Sequence, residues 1–386
     1  MDITIQPTRL RGSIAVPPSK SIAHRMLICA AFADKQTQLI CPETSEDIEA
    51  TANCLQALGA DILRTDNGYR ILPIQRIPET ADLYCRESGS TLRFLLPIIG
   101  ALGVSATFHL EGRLPQRPLS PLWEEMERMG CSLSRPTADT VQCQGKLRPG
   151  AYTMDSSISS QFVSGLLLAL PLIAGETSLQ ITGKPESCPY IELTRRTIEY
   201  FRNDHPEQIT VEGDWSNGAF WLTAAFLGSE LSVLNLDKCT TQGDLAITEL
   251  LPQLQSGTPT ISAADIPDLI PILSIAAATK NGAYFTDTGR LRHKESDRIS
   301  AIIAMLKALG GKAEATENAL TVYGTGLTGG TVDSFGDHRI AMSAAIAATV
   351  CTAPVTILGA ECVQKSYPRF WKDYAHLGGI YEKYLR

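Results

Sequence analysis

Amphipathic helical stretches that end at a glycine recur along this chain. Ala50–Leu58 stops at Gly59, Leu122–Met129 at Gly130, Ala301–Leu309 at Gly310 and Phe370–Leu377 at Gly378. Each glycine suits the left-handed position that closes a helix. An apolar, strand-like run follows, as in Ala60-Asp61-Ile62-Leu63. Fainter copies lie at Thr194–Phe201 and Ala246–Leu254, where the glycine is absent or displaced.

A second series interleaves with the first. Six apolar helices each open on a polar cluster, near Ser19-Lys20-Ser21, Ser88-Gly89-Ser90-Thr91, Ser159-Ser160-Gln161, Trp215-Ser216-Asn217, Ile266-Pro267-Asp268 and Gly336-Asp337-His338-Arg339. Runs such as Phe162–Ile173 and Ile340–Val350 are apolar all round, which predicts buried helices. The starts fall roughly 70 residues apart and contract to about 50–55 around the fourth. The unit is thus a strand-and-helix module repeated six times, three per domain, with trimmed strands or loops in mid-chain.

Bulk properties narrow the class. A chain of 386 residues predicts two domains. The start, Met1-Asp2-Ile3-Thr4-Ile5-Gln6-Pro7, lacks the basic flank and apolar core of a signal peptide. The longest apolar stretches, Phe94–Phe108 and Phe162–Ala174, are too short and too interrupted by Gly and Pro to span a bilayer. Ten cysteines without CxxC pairs or His partners at metal spacing read as reduced thiols, so the expected compartment is the cytoplasm, with no metal site. A net charge of −7 argues against nucleic acid as a partner, though a basic cleft can sit inside an acidic protein.

Such a cleft is what the basic residues predict. Lys20 and Arg25 flank the first helix start, and Arg93 follows the second. Arg113 and Arg117 lie in the loop Gly112–Pro118, while Arg292, Lys294 and Arg298 crowd into Leu291–Arg298. Arg339 sits at the sixth start and Lys365 near the C-terminus. Helix N-termini with free N–H groups favour phosphate or carboxylate, although Ser, Thr and Asp there also serve simply as N-caps. Asp268, Glu295 and Asp337 are mixed among the cations. Many cations with a few acids suit proton transfer on a phosphorylated substrate. No Walker-type, His-Glu-x-x-His or Rossmann glycine pattern is present.

Several blocks together resemble the EPSP synthase family of enolpyruvyl transferases. They are Pro18-Ser19-Lys20-Ser21 with Arg25, Gly112-Arg113-Leu114 with Arg117-Pro118, Ser159-Ser160-Gln161-Phe162, Pro189-Tyr190-Ile191, Gly243-Asp244, Ile266-Pro267-Asp268, Lys294-Glu295-Ser296-Asp297-Arg298, Asp337-His338-Arg339 and Lys365. The resemblance implies an α/β (α+β) fold, a two-domain inside-out α/β barrel with three β-α-β-α-β-β repeats per domain. It places residues 1–16 and 229–386 in a discontinuous first domain and 17–228 in the second, with the active site in the cleft between them. The implied reaction joins phosphoenolpyruvate to the 5-hydroxyl of shikimate 3-phosphate, without metal or organic cofactor, in a monomer.

Carried over by position, Lys20, Ser21, Arg25, Ser159, Ser160, Gln161, Ser187, Tyr190, Asp268 and Lys294 would hold shikimate 3-phosphate. Lys20, Gly89, Arg93, Arg117, Gln161, Arg298, Arg339 and Lys365 would hold phosphoenolpyruvate. Asp268 would accept the hydroxyl proton, Glu295 would handle the methylene proton, and Lys20 would share in catalysis. Glyphosate, which occupies the phosphoenolpyruvate site in this family, would approach Gly89. Three departures stand out: Glu87 in the Gly89 loop, Arg290 where many members have Asn, and shortened stretches at Asn203–Ile209 and Gln253–Ala264. The alternatives are the related transferase acting on UDP-N-acetylglucosamine, whose loop cysteine is missing from Glu111–Pro118, and a non-catalytic anion-binding protein of the same fold.

Overall fold

The computed structural model describes residues 1–183, 186–204 and 206–384. His205, within one shortened stretch, lies outside them. The chain splits into two compact units, Met1–Pro17 with Gly213–Arg386, and Pro18–Glu212. The return crossing is therefore at Glu212–Gly213 and not near residue 228. The reason is the helix Trp215–Phe226, whose Trp215, Phe220 and Trp221 bury in the core of the first unit. Trp221 stacks on Phe370 at 5.1 Å, which commits that helix to the first unit.

Both helix series form. Glu46–Ala57, Leu122–Arg128, Arg298–Ala308 and Phe370–His376 are the amphipathic set, and Gly59, Gly130, Gly310 and Gly378 beyond them all have positive φ. A side chain there would strain the backbone, so glycine is what lets each helix turn into the next strand. The buried set is Lys20–Ala31, Gly89–Leu102, Ser160–Ala169, Trp215–Phe226, Ile270–Thr279 and His338–Ala347. Three of these run through the core of each unit, and half-buried sheets lie outside them. None of the described helices is long and apolar enough to cross a membrane.

The complete repeat reads Thr80–Arg86, Gly89–Leu102, Ser105–Leu110, Leu122–Arg128, Cys131–Ser134, Thr140–Gly145. Its first two strands are parallel (Leu83 opposite Phe108), and a closing hairpin adds antiparallel pairs at Phe108–Val141 and Leu133–Cys143. Thr260–Tyr323 repeats that strand order. A third copy, from Gly330 to Tyr384, takes Asp2–Gln6 from the chain start as its last strand. Two strands exchange partners at the crossings. Arg11–Ala15 stays with Glu230–Leu234 in the first unit, while Gln208–Thr210 joins Thr37–Ile40 in the second. The mid-chain trimming has a definite form. Gly150–Asp155 with Thr177–Thr182, and Arg11–Ala15 with Glu230–Leu234, are parallel pairs lacking the closing hairpin.

Candidate active site

In the second unit the first helix begins at Lys20, whose Nζ lies 2.7 Å from Asp47 Oδ2. One turn on, the buried Arg25 is tied down by its surroundings. Its Nε donates to Thr194 Oγ1 (2.7 Å), Nη1 to the Ser21 carbonyl (2.6 Å), and Nη2 to the Tyr190 carbonyl (3.1 Å). Burial lowers its pKa to about 10, which keeps it charged near neutrality. Ser187, at φ 55° and buried, precedes the helix that carries Tyr190 and Thr194.

The second helix begins at Gly89. Ser88 caps it by accepting from Thr91 N–H. Arg93, one turn in, donates to Gln161 Oε1 (2.7 Å) and to the Pro118 carbonyl (3.0 Å), and Gln161 Nε2 donates to Ser90 Oγ (2.9 Å). Arg93 thus joins the Gly89 start to the Ser159–Ser160–Gln161 start. Ser159 caps that third helix through Gln161 N–H, and Ser160 is buried in its first turn. Arg117, also buried, brings its guanidinium against Gly89. Glu87 has a place that its charge did not predict. Its carboxylate covers Gly112, where any Cβ would collide with it, and Gly112 sits at φ 54°.

The first unit holds a denser cluster. Arg298 is fully buried and meets three carboxylates. Its Nε donates to Asp337 Oδ2 (3.0 Å), Nη1 to Asp268 Oδ1 (2.8 Å) and Nη2 to Glu295 Oε2 (2.7 Å). The second oxygen of Asp268 accepts from Arg339 Nη2 at 2.9 Å. Asp337 caps the sixth helix through Arg339 N–H (2.9 Å), and Lys365 Nζ donates to the Gly336 carbonyl (2.8 Å) just ahead of it. The cap explanation therefore holds for Ser88, Ser159, Asp214 and Asp337 but not for Asp268, which makes no cap bond.

The electrostatics follow from these contacts. Burial raises the Asp268 carboxyl, but Arg339, Lys294 and Arg298 outweigh burial and hold it well below the usual carboxylate range. Burial lowers Arg298, and Asp337, Glu295 and Asp268 more than reverse that. Lys294 has no hydrogen-bond partner among the described residues, and burial with Arg290 and Arg298 nearby brings its pKa down to about 7. Arg290 itself donates to the Ala264 carbonyl. Asp244, buried and hydrogen-bonded to Ser216, is raised to about 7 by burial and by the Asp268 charge.

The chain as a whole is similar to known proteins. The sequence profile described as EPSP synthase (3-phosphoshikimate 1-carboxyvinyltransferase) covers residues 5–374. The chain belongs to this family. A 3-phosphoshikimate 1-carboxyvinyltransferase of Clostridium kluyveri is 36% identical over 98% of this chain and 97% of its own. That of Clostridium perfringens is 38% identical, with 98% of both chains covered. Among solved structures, EPSP synthase from Acinetobacter baumannii superposes with a TM-score of 0.80 at 24% identity, covering 99% of this chain and all of its own. The enolpyruvyl transferase NikO from Streptomyces tendae has a TM-score of 0.75 at 17% identity, covering 99% of this chain and 98% of its own. At those identities the two structures speak for the fold.

Two acidic neighbours of the candidate site residues, Asp47 and Asp244, were given no role from the sequence. Asp47 reads as a first-turn helix acid in Ser45-Glu46-Asp47, a common choice beside a helix N-terminus. Only its contact with Lys20 reveals a second use. Asp244 was visible as a motif residue but carried no role, because nothing in sequence places it within reach of Asp268 and Arg339.

Proposed function

We propose that the chain transfers the enolpyruvyl group of phosphoenolpyruvate to the 5-hydroxyl of shikimate 3-phosphate, releasing phosphate. The observation that carries the reading is Asp268, one carboxylate shared by Arg298 and Arg339. So long as both guanidinium groups face it, Asp268 is a poor base. Phosphoenolpyruvate arriving on Arg298, Arg339 and Lys365 would neutralise those cations and raise the Asp268 pKa, so the base is switched on by the substrate. Asp268 then takes the 5-hydroxyl proton as the oxygen attacks C2, and a proton is delivered to C3. Loss of a C3 proton from the tetrahedral adduct expels phosphate and restores the double bond. Glu295, held 2.7 Å from Arg298, is the acid suited to the C3 proton. Lys20, Ser21, Arg25, Ser159, Ser160, Gln161, Ser187 and Tyr190 would hold the shikimate ester, with Lys294 at its ring. Gly89, Arg93, Arg117 and Gln161 would complete the phosphoenolpyruvate site, and Lys20 would neutralise the departing phosphate.

The deciding assay is phosphate release from phosphoenolpyruvate. It should depend on shikimate 3-phosphate and be absent with UDP-N-acetylglucosamine; release with the nucleotide sugar alone would overturn the reading. The same reading makes the protein a cytoplasmic monomer, and sedimentation equilibrium at a mass other than one chain would correct that.

A further inference from the structure

A buried hydrogen-bond chain in the second unit has no part in the roles above. His24 Nδ1 lies 2.7 Å from Thr51 Oγ1, Thr51 Oγ1 2.7 Å from Thr91 Oγ1, and Thr91 Oγ1 2.8 Å from Ser88 Oγ. All four residues are fully buried. Counting protons gives the chain a direction. Ser88 Oγ accepts from both the N–H and the hydroxyl of Thr91. The single Thr91 hydroxyl proton being used there, Thr91 accepts from Thr51, and Thr51 in turn accepts from His24. His24 is then the neutral Nδ1–H tautomer. Its buried Nε2 has no hydrogen-bond partner among the described residues, and burial beside Lys20 and Arg25 holds its pKa well below the ordinary value.

Thr51 and Asp47 are four residues apart on the helix Glu46–Ala57 and so share one face. Asp47 takes Lys20 from the first helix; Thr51 takes His24 from the same helix and reaches Thr91 and Ser88 on the second. The chain ends on the cap of the helix that begins at Gly89, where the Arg117 guanidinium packs so closely that a Cβ would lie 2.7 Å from it. A helix start with so little clearance passes on any small displacement of Ser88. An apolar quartet of the same shape could fill this space at similar stability, so the hydroxyls call for another explanation.

We infer that the helix Glu46–Ala57 is a strut between the Lys20 and Gly89 helix starts, with Thr51 a positioning residue for phosphoenolpyruvate. The inference rests on the proposed reading that Gly89, Arg93 and Arg117 bind that substrate. It is tested with Thr51→Val, which keeps the shape and removes the hydroxyl, and Thr51→Ser, which restores the hydroxyl. Thr51→Val should raise the phosphoenolpyruvate KM about tenfold, the scale of one lost buried hydrogen bond, with kcat and the shikimate 3-phosphate KM within about twofold. Thr51→Ser should return the KM to within about twofold of the parent. Arg117→Ala serves as the control on the underlying reading. If it raises the phosphoenolpyruvate KM and Thr51→Val does not, the strut is wrong and the site reading stands. If neither changes the KM, the site reading fails and the strut with it. Equal impairment of Thr51→Ser and Thr51→Val, or a loss toward both substrates that follows a lowered Tm, leaves only a packing role and overturns the inference. Should Thr51→Val not fold, Thr51→Val/Thr91→Val, which leaves no unpaired hydroxyl between the two positions, replaces it with the same expectation.

Discussion

A Cβ placed on Gly89 would lie 2.7 Å from Nη1 of Arg117 and 3.0 Å from its Cζ. The φ of Gly89 is not positive, so its backbone does not demand glycine. What glycine provides here is room for a guanidinium.

Gly89→Ala should therefore displace Arg117 with little effect on the fold. The phosphoenolpyruvate KM is expected to rise by one to two decades, the scale of roughly 1–3 kcal/mol of overpacking, with Tm close to the parent. Steady-state kinetics beside thermal melting checks this. A fall in Tm with parallel losses toward both substrates would instead mean that the helix start cannot take alanine.

Asp268→Asn and Glu295→Gln should separate in stability while both lose turnover. General acid–base roles are worth about 10²–10⁴-fold, and each variant is expected to lose kcat on that scale with modest changes in KM. Asp268 neutralises two buried guanidinium groups, so Asp268→Asn should also cost about 3 kcal/mol of stability. Arg298, the partner of Glu295, keeps Asp268 and Asp337 when Glu295 is replaced, so Glu295→Gln should leave Tm nearer the parent. Near-normal turnover in either variant removes that residue from the mechanism.

With its pKa lowered to about 7, Lys294 is an ammonium below that pH and increasingly neutral above it. An anionic substrate prefers the ammonium. The shikimate 3-phosphate kcat/KM should consequently fall as pH rises through about 7. Lys294→Arg, charged throughout, should flatten this limb whatever its absolute activity. An unchanged limb in that variant would assign the ionisation elsewhere.

Asp244 makes an opposite kind of demand. Its pKa is raised to about 7, so the folded protein keeps a proton that the unfolded chain has lost. The stability this contributes is full below the ordinary carboxyl pKa, declines as pH rises through the window, and is gone above about 7. Three pKa units or so correspond to about 4 kcal/mol at most. Asp244→Asn cannot ionise, and its Tm relative to the parent should climb between pH 4.5 and 7.5. A difference that does not vary with pH would show that Asp244 ionises normally.

Much of this protein was legible in one dimension because two periods were written over each other. Helices ending at Gly59, Gly130, Gly310 and Gly378, and six apolar helices with polar starts, follow from local rules of capping and amphipathicity, and both series formed where they were expected. The cations at those starts were equally visible, since charge beside an apolar helix needs a reason. Partnership was not visible. Whether Asp268 caps a helix or bridges Arg298 and Arg339 depends on residues 30 and 71 positions away. The pairing of Arg11–Ala15 with Glu230–Leu234 and of Gln208–Thr210 with Thr37–Ile40, on either side of the return crossing at Gly213, depends on which core receives Trp215 and Trp221. The chain by itself determined the elements, their repeat and the family's motif residues, because those are set by neighbours within a few positions. Tertiary structure decided which carboxylate faces which cation, and so which acids ionise, because burial and charge at a distance act only once the chain has folded.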